Sequence, residues 1–230
     1  MTPGTPDRGA HPGDAELLGP AALPRLREAS ADLAWLLGRG YAETAALALV
    51  GDRFQLPARA RTAVLRGTCT AEHARSRRER RVSIPRRQVV VDGFNVLVTV
   101  ESALAGAPLV RGTDGLLRDL AGVHGAWRSM AWTERALDRL AEVLAPAAAV
   151  RWLLDRPVAH SGRLASRLRD RGFDAETVWD VDATLAATCA EGTWVGATAD
   201  GPLLGRLPAA VDLVGPVVVR IPDAWIVDLG

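Results

Sequence analysis

Lysine is absent. All 28 strongly basic side chains of this 230-residue chain are arginine. The gap excludes a P-loop lysine, a Schiff-base lysine and a Ser–Lys nucleophile pair. Alongside abundant Ala, Gly and Pro, it has an ordinary cause in a GC-rich genome. The two cysteines, Cys69 and Cys189, lie far apart with no CxxC spacing, which argues against a disulfide framework or a zinc ribbon. No apolar run reaches the roughly 18 residues of a membrane span, so none is expected. The Pro/Gly-rich start lacks the apolar core of a signal peptide, and a cytoplasmic protein is the expectation.

What is present is a hydrophobic content of 48%, enough for a sizeable core. The formal net charge is +1, but the charges are unevenly placed. Between Arg53 and Arg87 stand eleven arginines against two acids, Glu72 and Glu79. Such a cluster reads either as a solvated face or as a contact for a polyanion.

The organisation follows from changes in period. Residues 1–15 read as a disordered Gly/Pro-rich tail. Leu26, Ala29, Leu33, Leu36 and Leu37 follow helical spacing over Leu23–Leu37, and Gly38 and Gly40 stop that helix. Glu43–Val50 and Pro57–Arg66 read as two more helices, giving a small all-α domain over residues 16–74. Residues 75–87, with seven arginines and Pro85, read as an exposed linker or a basic helix running into a turn.

From Gln88 the period changes, and residues 88–230 read as one α/β domain. Apolar runs at Gln88–Val91 and Asn95–Val100 flank Asp92-Gly93, and Val89-Val90-Val91 suits a buried parallel strand. Leu116–Met130 is an expected helix, weakened by Gly122 and Gly125. Thr133–Leu144 is a firmer one with Thr133 as its N-cap. Strands are expected at Ala148–Leu154, Ala175–Val178, Thr193–Ala197, Val217–Ile221 and Trp225–Val227. Helices are expected at Ser161–Arg171, capped by Ser161, then at Asp182–Ala190 and Asp200–Leu204. The alternation implies a parallel sheet with right-handed crossovers.

Ligands of open α/β sheets sit at the carboxyl ends of the strands. There the chain places Asp92 with Asn95, then Asp155, then Asp180 and Asp182, then Thr198 and Asp200. Crowded carboxylates repel, and a divalent cation removes that penalty. Ligands that are all oxygen suit Mg²⁺ or Mn²⁺ rather than zinc. Phosphodiester hydrolysis is the natural reaction class.

The segment Val89-Val90-Val91-Asp92-Gly93-Phe94-Asn95-Val96-Leu97 resembles the first strand of PIN-like nucleases, especially their NYN branch. Val150–Asp155, Asp182-Ala183-Thr184-Leu185 and Val195-Gly196-Ala197-Thr198-Ala199-Asp200 resemble the later landmarks in order. The resemblance covers roughly Gln88–Val219. Two departures stand out: Val181 separates Asp180 from Asp182, and Gly201-Pro202 follows Asp200. The whole chain, through Arg39-Gly40-Tyr41, Gly51-Asp52-Arg53-Phe54-Gln55-Leu56 and the stretch opening at Arg111-Gly112-Thr113-Asp114, also resembles an uncharacterised family pairing a helical domain with such a domain.

The resemblance implies a three-layer parallel α/β fold and a metal-dependent ribonuclease. Asp92, Asp155, Asp182 and Asp200 would be catalytic metal ligands for Mg²⁺ or Mn²⁺, directly or through water. Asn95 and Thr198 would orient ligands or the scissile phosphate. Arg111, Arg118 and Arg156 would contact phosphate through their forked guanidinium groups.

Plainer readings stand beside these. Asp92 before Gly93 can shape a turn. Asp155 can pair with Arg156. Asp182, Asp200 and Asp114 can be helix caps. Asp119 with Arg118 reads as a solvated pair, and the isolated His124 and His160 do not suggest zinc. The seven tryptophans are scattered and read as core and rim residues rather than a base-stacking platform.

The competing function is a catalytically silent RNA-binding adaptor on the same fold. Haloacid-dehalogenase-like chemistry wants an Asp where Phe94 stands, and a dinucleotide-binding fold wants a Gly-rich loop after the first strand. RNA is the expected partner, and a homodimer is left open.

Overall fold

Val89, Val90 and Val91 are all fully buried, and this explains the centre of the molecule. The strand that holds them, β1 (Gln88–Asp92), pairs on both sides. The computed structural model describes residues 8–121 and 127–230. In chain order the helices are α1 (Asp14–Leu18), α2 (Leu23–Gly38), α3 (Glu43–Arg53), α4 (Ala58–Gly67), α5 (Ala71–Glu79), α6 (Gly93–Leu104), α7 (Thr133–Leu144), α8 (Ser161–Asp170), α9 (Val181–Ala190), α10 (Gly201–Arg206) and α11 (Val214–Val218). The remaining strands are β2 (Leu109–Arg111), β3 (Leu117–Arg118), β4 (Ala149–Asp155), β5 (Asp174–Val178), β6 (Trp194–Ala197) and β7 (Ile226–Asp228).

The main sheet has the order β5-β4-β1-β6, and every pairing is parallel. Side chains alternate across it as the strand period requires. Val89 and Val91 join one apolar cluster with Leu97, Leu137, Leu140 and Leu164. Val90 joins another with Leu185, Cys189 and Leu203. The chain winds from β1 outward through β4 to β5, then returns to lay β6 on the other side of β1. The winding therefore reverses between β1 and β6, the place where such sheets leave a crevice.

A second, smaller sheet has the order β3-β2-β7, with β2 and β7 parallel. Its residues Val110 and Val227, with Leu229, are buried among Leu26, Leu33, Ala60 and Val64 of α2 and α4. The helical part and the α/β part thus share a core.

Several expectations change. The run Asn95–Val100 lies in α6, where Asp92 caps the helix and the valines are buried on it. Burial against the sheet outweighs the weak helical preference of β-branched residues. Leu116–Met130 is not a helix at its described ends: Leu117–Arg118 forms β3, and residues 122–126, with Gly122, His124 and Gly125, lie outside the described residues. Val217–Ile221 is not a strand, since Val214–Val218 forms α11 and buries Val217 and Val218. Thr133 is the first residue of α7 rather than its cap, and its hydroxyl donates to the buried Glu101. Ser161 likewise begins α8, after His160 in the left-handed region.

The N-terminal residues 1–7 lie outside the described residues. From Arg8 onward the segment is anchored. Arg8 Nε donates to Glu101 Oε2 at 2.8 Å, and Arg59 grips the buried Asp14 with two bonds of 2.8 and 2.9 Å. Of the two readings of residues 75–87, the basic helix holds: α5 carries Arg77 inward. Among the described residues, no helix is long and apolar enough to cross a membrane.

Candidate active site

The strand-end acids gather at one place. Asp92 ends β1, Asp155 ends β4, Asp182 lies in the first turn of α9, and Asp200 precedes α10. All four, with Asn95, line one cleft of about 890 Å³. Its other wall comes from Leu65–Thr70, His73, Arg77 and Arg80 of the helical part.

Local chemistry builds the corner at β1 and β6. Asp92 leaves the strand and caps α6, accepting the Asn95 N–H at 3.4 Å through Oδ1. Its Oδ2 accepts the Thr198 hydroxyl at 2.8 Å. Thr198 Oγ1 in turn accepts the Asp200 N–H at 3.1 Å, and Asn95 Oδ1 accepts the Ala199 N–H at 2.9 Å. Two strand ends that are remote in sequence are stitched together. Asp200 caps α10 by accepting the Leu203 N–H at 2.8 Å, so its plainer reading holds. For α9 the cap is Asp180, which accepts the Ala183 N–H at 2.8 Å. Asp182 is therefore not the cap, and it stands exposed in the first turn, where a helix favours negative charge.

The acids sense one another. Burial pushes the Asp92 carboxyl up to about 7; the Thr198 and Asn95 hydrogen bonds oppose this, and the charges of Asp182 and Asp155 add to it. Asp155 is raised by burial and by Asp180, offset in part by backbone N–H groups. Asp182 is raised by burial and then by Asp200, Asp180 and Asp155, with Arg206 opposing. Among the described residues, no group of three or more His, Cys, Asp or Glu side chains is arranged to hold a metal ion.

The three expected phosphate contacts part ways. Arg118 is buried in a fork to Asp114, at 2.9 and 2.6 Å, and its Nε donates to the Ala199 carbonyl at 2.7 Å. It therefore holds the loop after β6 rather than presenting itself to the cleft as a free cation. Arg111 sits in the small sheet, 3.7 Å from Asp228, and lines a separate pocket with Pro216 and Val219. Arg156 is exposed directly after Asp155, its guanidinium 5.4 Å from the centre of the Trp179 ring.

Two residues had no place among the expected site residues. Arg77 of α5 donates to Asp114 Oδ2 at 2.8 Å and to the Gly201 carbonyl at 2.7 Å. Burial alone would raise Asp114, but Arg118, Arg77 and the Leu116 N–H outweigh it and hold this carboxyl well below the ordinary range. The density of arginines in α5 was the available signal. Which of them turns inward depends on how α5 lies against the 111–118 hairpin.

The chain is 27% identical over 151 residues to an uncharacterised protein of Methanocaldococcus jannaschii, covering 64% of this chain and 72% of that one. No solved structure matches it. Residues 25–80, which hold α2 to α5, match the family described as a protein of unknown function, DUF434. The second match covers residues 82–215, from just before β1 to α11, and takes in Asp92, Asp155, Asp182 and Asp200. It spans more than half of the chain, which therefore belongs to the family described as a domain of unknown function, DUF5616.

Proposed function

We propose that this chain is a metal-dependent ribonuclease of the cytoplasm, built as a PIN-like three-layer fold with helices over both faces of the parallel sheet. The observation that carries the reading is the state of Asp92. It is buried at the reversal of the sheet, raised to about 7, and faces a cleft that the three other strand-end acids Asp155, Asp182 and Asp200 also line. A carboxyl perturbed by burial and by neighbouring charges in a cleft marks a functional-site candidate.

The donor set is compatible with a hard divalent cation. It is all oxygen, and its mutual repulsion is what a cation relieves. Mg²⁺ commonly uses one or two carboxylates and completes its shell with water and substrate phosphate. A preformed three-ligand cage is therefore not required. Asp92, Asp155, Asp182 and Asp200 would hold Mg²⁺ or Mn²⁺. The bound ion would supply a water of lowered pKa and would neutralise phosphoryl charge. Thr198 fixes the orientation of Asp92, and Asn95 fixes the backbone that leads to Asp200. Arg156 offers its cation to a phosphate on the Asp155 side.

A second reading, a silent RNA-binding adaptor, is favoured by the structural commitments of the acids: Asp200 caps α10, and Asp92 caps α6 and accepts the Thr198 hydroxyl. One experiment separates them. The purified chain, Asp92→Asn and Asp200→Asn are incubated with single-stranded and structured RNA in Mn²⁺, Mg²⁺ or EDTA. Cleavage that needs metal and disappears in both variants is the expected result. Intact RNA in every condition, with binding unchanged by EDTA and by both substitutions, sinks the enzyme and favours the adaptor.

A further inference from the structure

Trp179 is 72% exposed, the most exposed tryptophan among the described residues. Trp127 and Trp152, by contrast, are buried in the core, as the sequence reading expected of the tryptophans. A large indole held in water leaves an aromatic face open to a stacking partner.

Its neighbours say what kind. Trp179 follows β5 directly, and Val178 is the register partner of Asp155 on β4. The Arg156 N–H donates to the Val178 carbonyl at 2.7 Å, which fixes Arg156 and Trp179 side by side just beyond the two strand ends. The Arg156 guanidinium lies over one face of the indole, 5.4 Å from its centre, and leaves the other face for a ligand. Asp155 stands on one flank and Asp180 on the other. An exposed indole and an exposed guanidinium thus stand together directly beside Asp155, which lines the acidic cleft.

We propose that Trp179 and Arg156 form a nucleobase shelf: the indole stacks on a base of single-stranded RNA and Arg156 takes the adjoining phosphate. Both halves match single-strand recognition, in which aromatic faces stack on bases without regard to sequence and arginine follows the backbone. A base on this shelf directs the next phosphate over the strand ends that present Asp155 and Asp92. The shelf takes its RNA ligand from the proposed function but needs no cleavage to be tested.

The test measures binding of a labelled single-stranded oligouridine, and of its abasic ribose-phosphate counterpart, to the full chain in EDTA by fluorescence anisotropy. Trp179→Ala should weaken oligouridine binding about tenfold or more. Trp179→Phe should stay close to the parent. The abasic strand should bind the parent and Trp179→Ala alike. Equal binding of oligouridine by the parent and Trp179→Ala overturns the shelf, as does an equal loss on both strands or no binding by the parent. Because EDTA silences metal-dependent turnover, a failed cleavage assay leaves this outcome untouched. A positive result here beside no cleavage would retire the ribonuclease and keep the shelf.

Discussion

Thr198 donates its hydroxyl to Asp92 Oδ2 across 2.8 Å, joining the ends of β6 and β1, which lie 106 residues apart in the chain. The bond sits where the sheet reverses its winding. It steadies a carboxyl that burial, and then the charges of Asp182 and Asp155, push toward protonation. The folded chain therefore holds an electrostatic cost at its candidate site.

The first concerns stability against pH without metal. Asp92 has an ordinary value of 3.8 and a folded value of about 7. Below about pH 4 both states keep the proton. Between the two values the folded chain binds a proton that the unfolded chain releases, so stability falls as pH rises, then levels off above 7. The loss is on the order of 4 kcal/mol. Asp92→Asn in EDTA should melt higher than the parent at pH 8 and not at pH 4. Parallel melting curves at both pH values would contradict the burial argument.

Removing the hydroxyl partner moves the same group further. Thr198→Val deletes the bond that lowers Asp92 and the acceptor for the Asp200 N–H. The acid limb of any metal-dependent cleavage should shift to higher pH. A purely structural role for Thr198 would lower stability and leave the limb in place.

Asp114 anchors the opposite wall. Its carboxylate is buried between Arg118 and Arg77, which together hold the carbonyls of Ala199 and Gly201. Asp114→Asn leaves two buried cations uncompensated. Breaking such a cluster costs about 3–5 kcal/mol, a fall in melting temperature of roughly 6–20 °C for a chain of this size. Calorimetry reads it directly, and a shift below 2 °C would show that the cations relax into solvent.

The shared core predicts how the chain can be divided. Val110, Val227 and Leu229 are nearly fully buried against α2 and α4. A fragment covering residues 88–230 exposes them together, and it should aggregate or bind a hydrophobic dye strongly. A soluble fragment with a cooperative unfolding transition would show that the two parts fold independently.

Much of the scaffold was legible locally. Three valines in a row, bounded by Asp92-Gly93, mark a central strand whose end carries an acid, because a strand buried on both faces needs no alternation. Apolar spacing marks α2 and α7, and Pro57 marks the start of α4, while α3 runs through Gly51 to Arg53 rather than stopping at the glycine. Local signals failed where burial competes with propensity. Val96, Val98 and Val100 are strand formers by type, yet they lie in α6, because the Asp92 cap and the sheet surface beneath outweigh that preference.

The sequence by itself determined which residues would end the parallel strands, and so which acids had to share one edge of the sheet. Strands that alternate with helical crossovers run parallel, and parallel strands place their carboxyl ends at one edge. Tertiary structure alone decided which charges there are available. It buried Arg118 and Arg77 on Asp114, set Arg111 in a separate sheet, and left Arg156 exposed against Trp179. The reason is physical: an arginine is free or committed according to which carboxylate comes within hydrogen-bond reach, and those partners come from segments that meet only when the chain has folded.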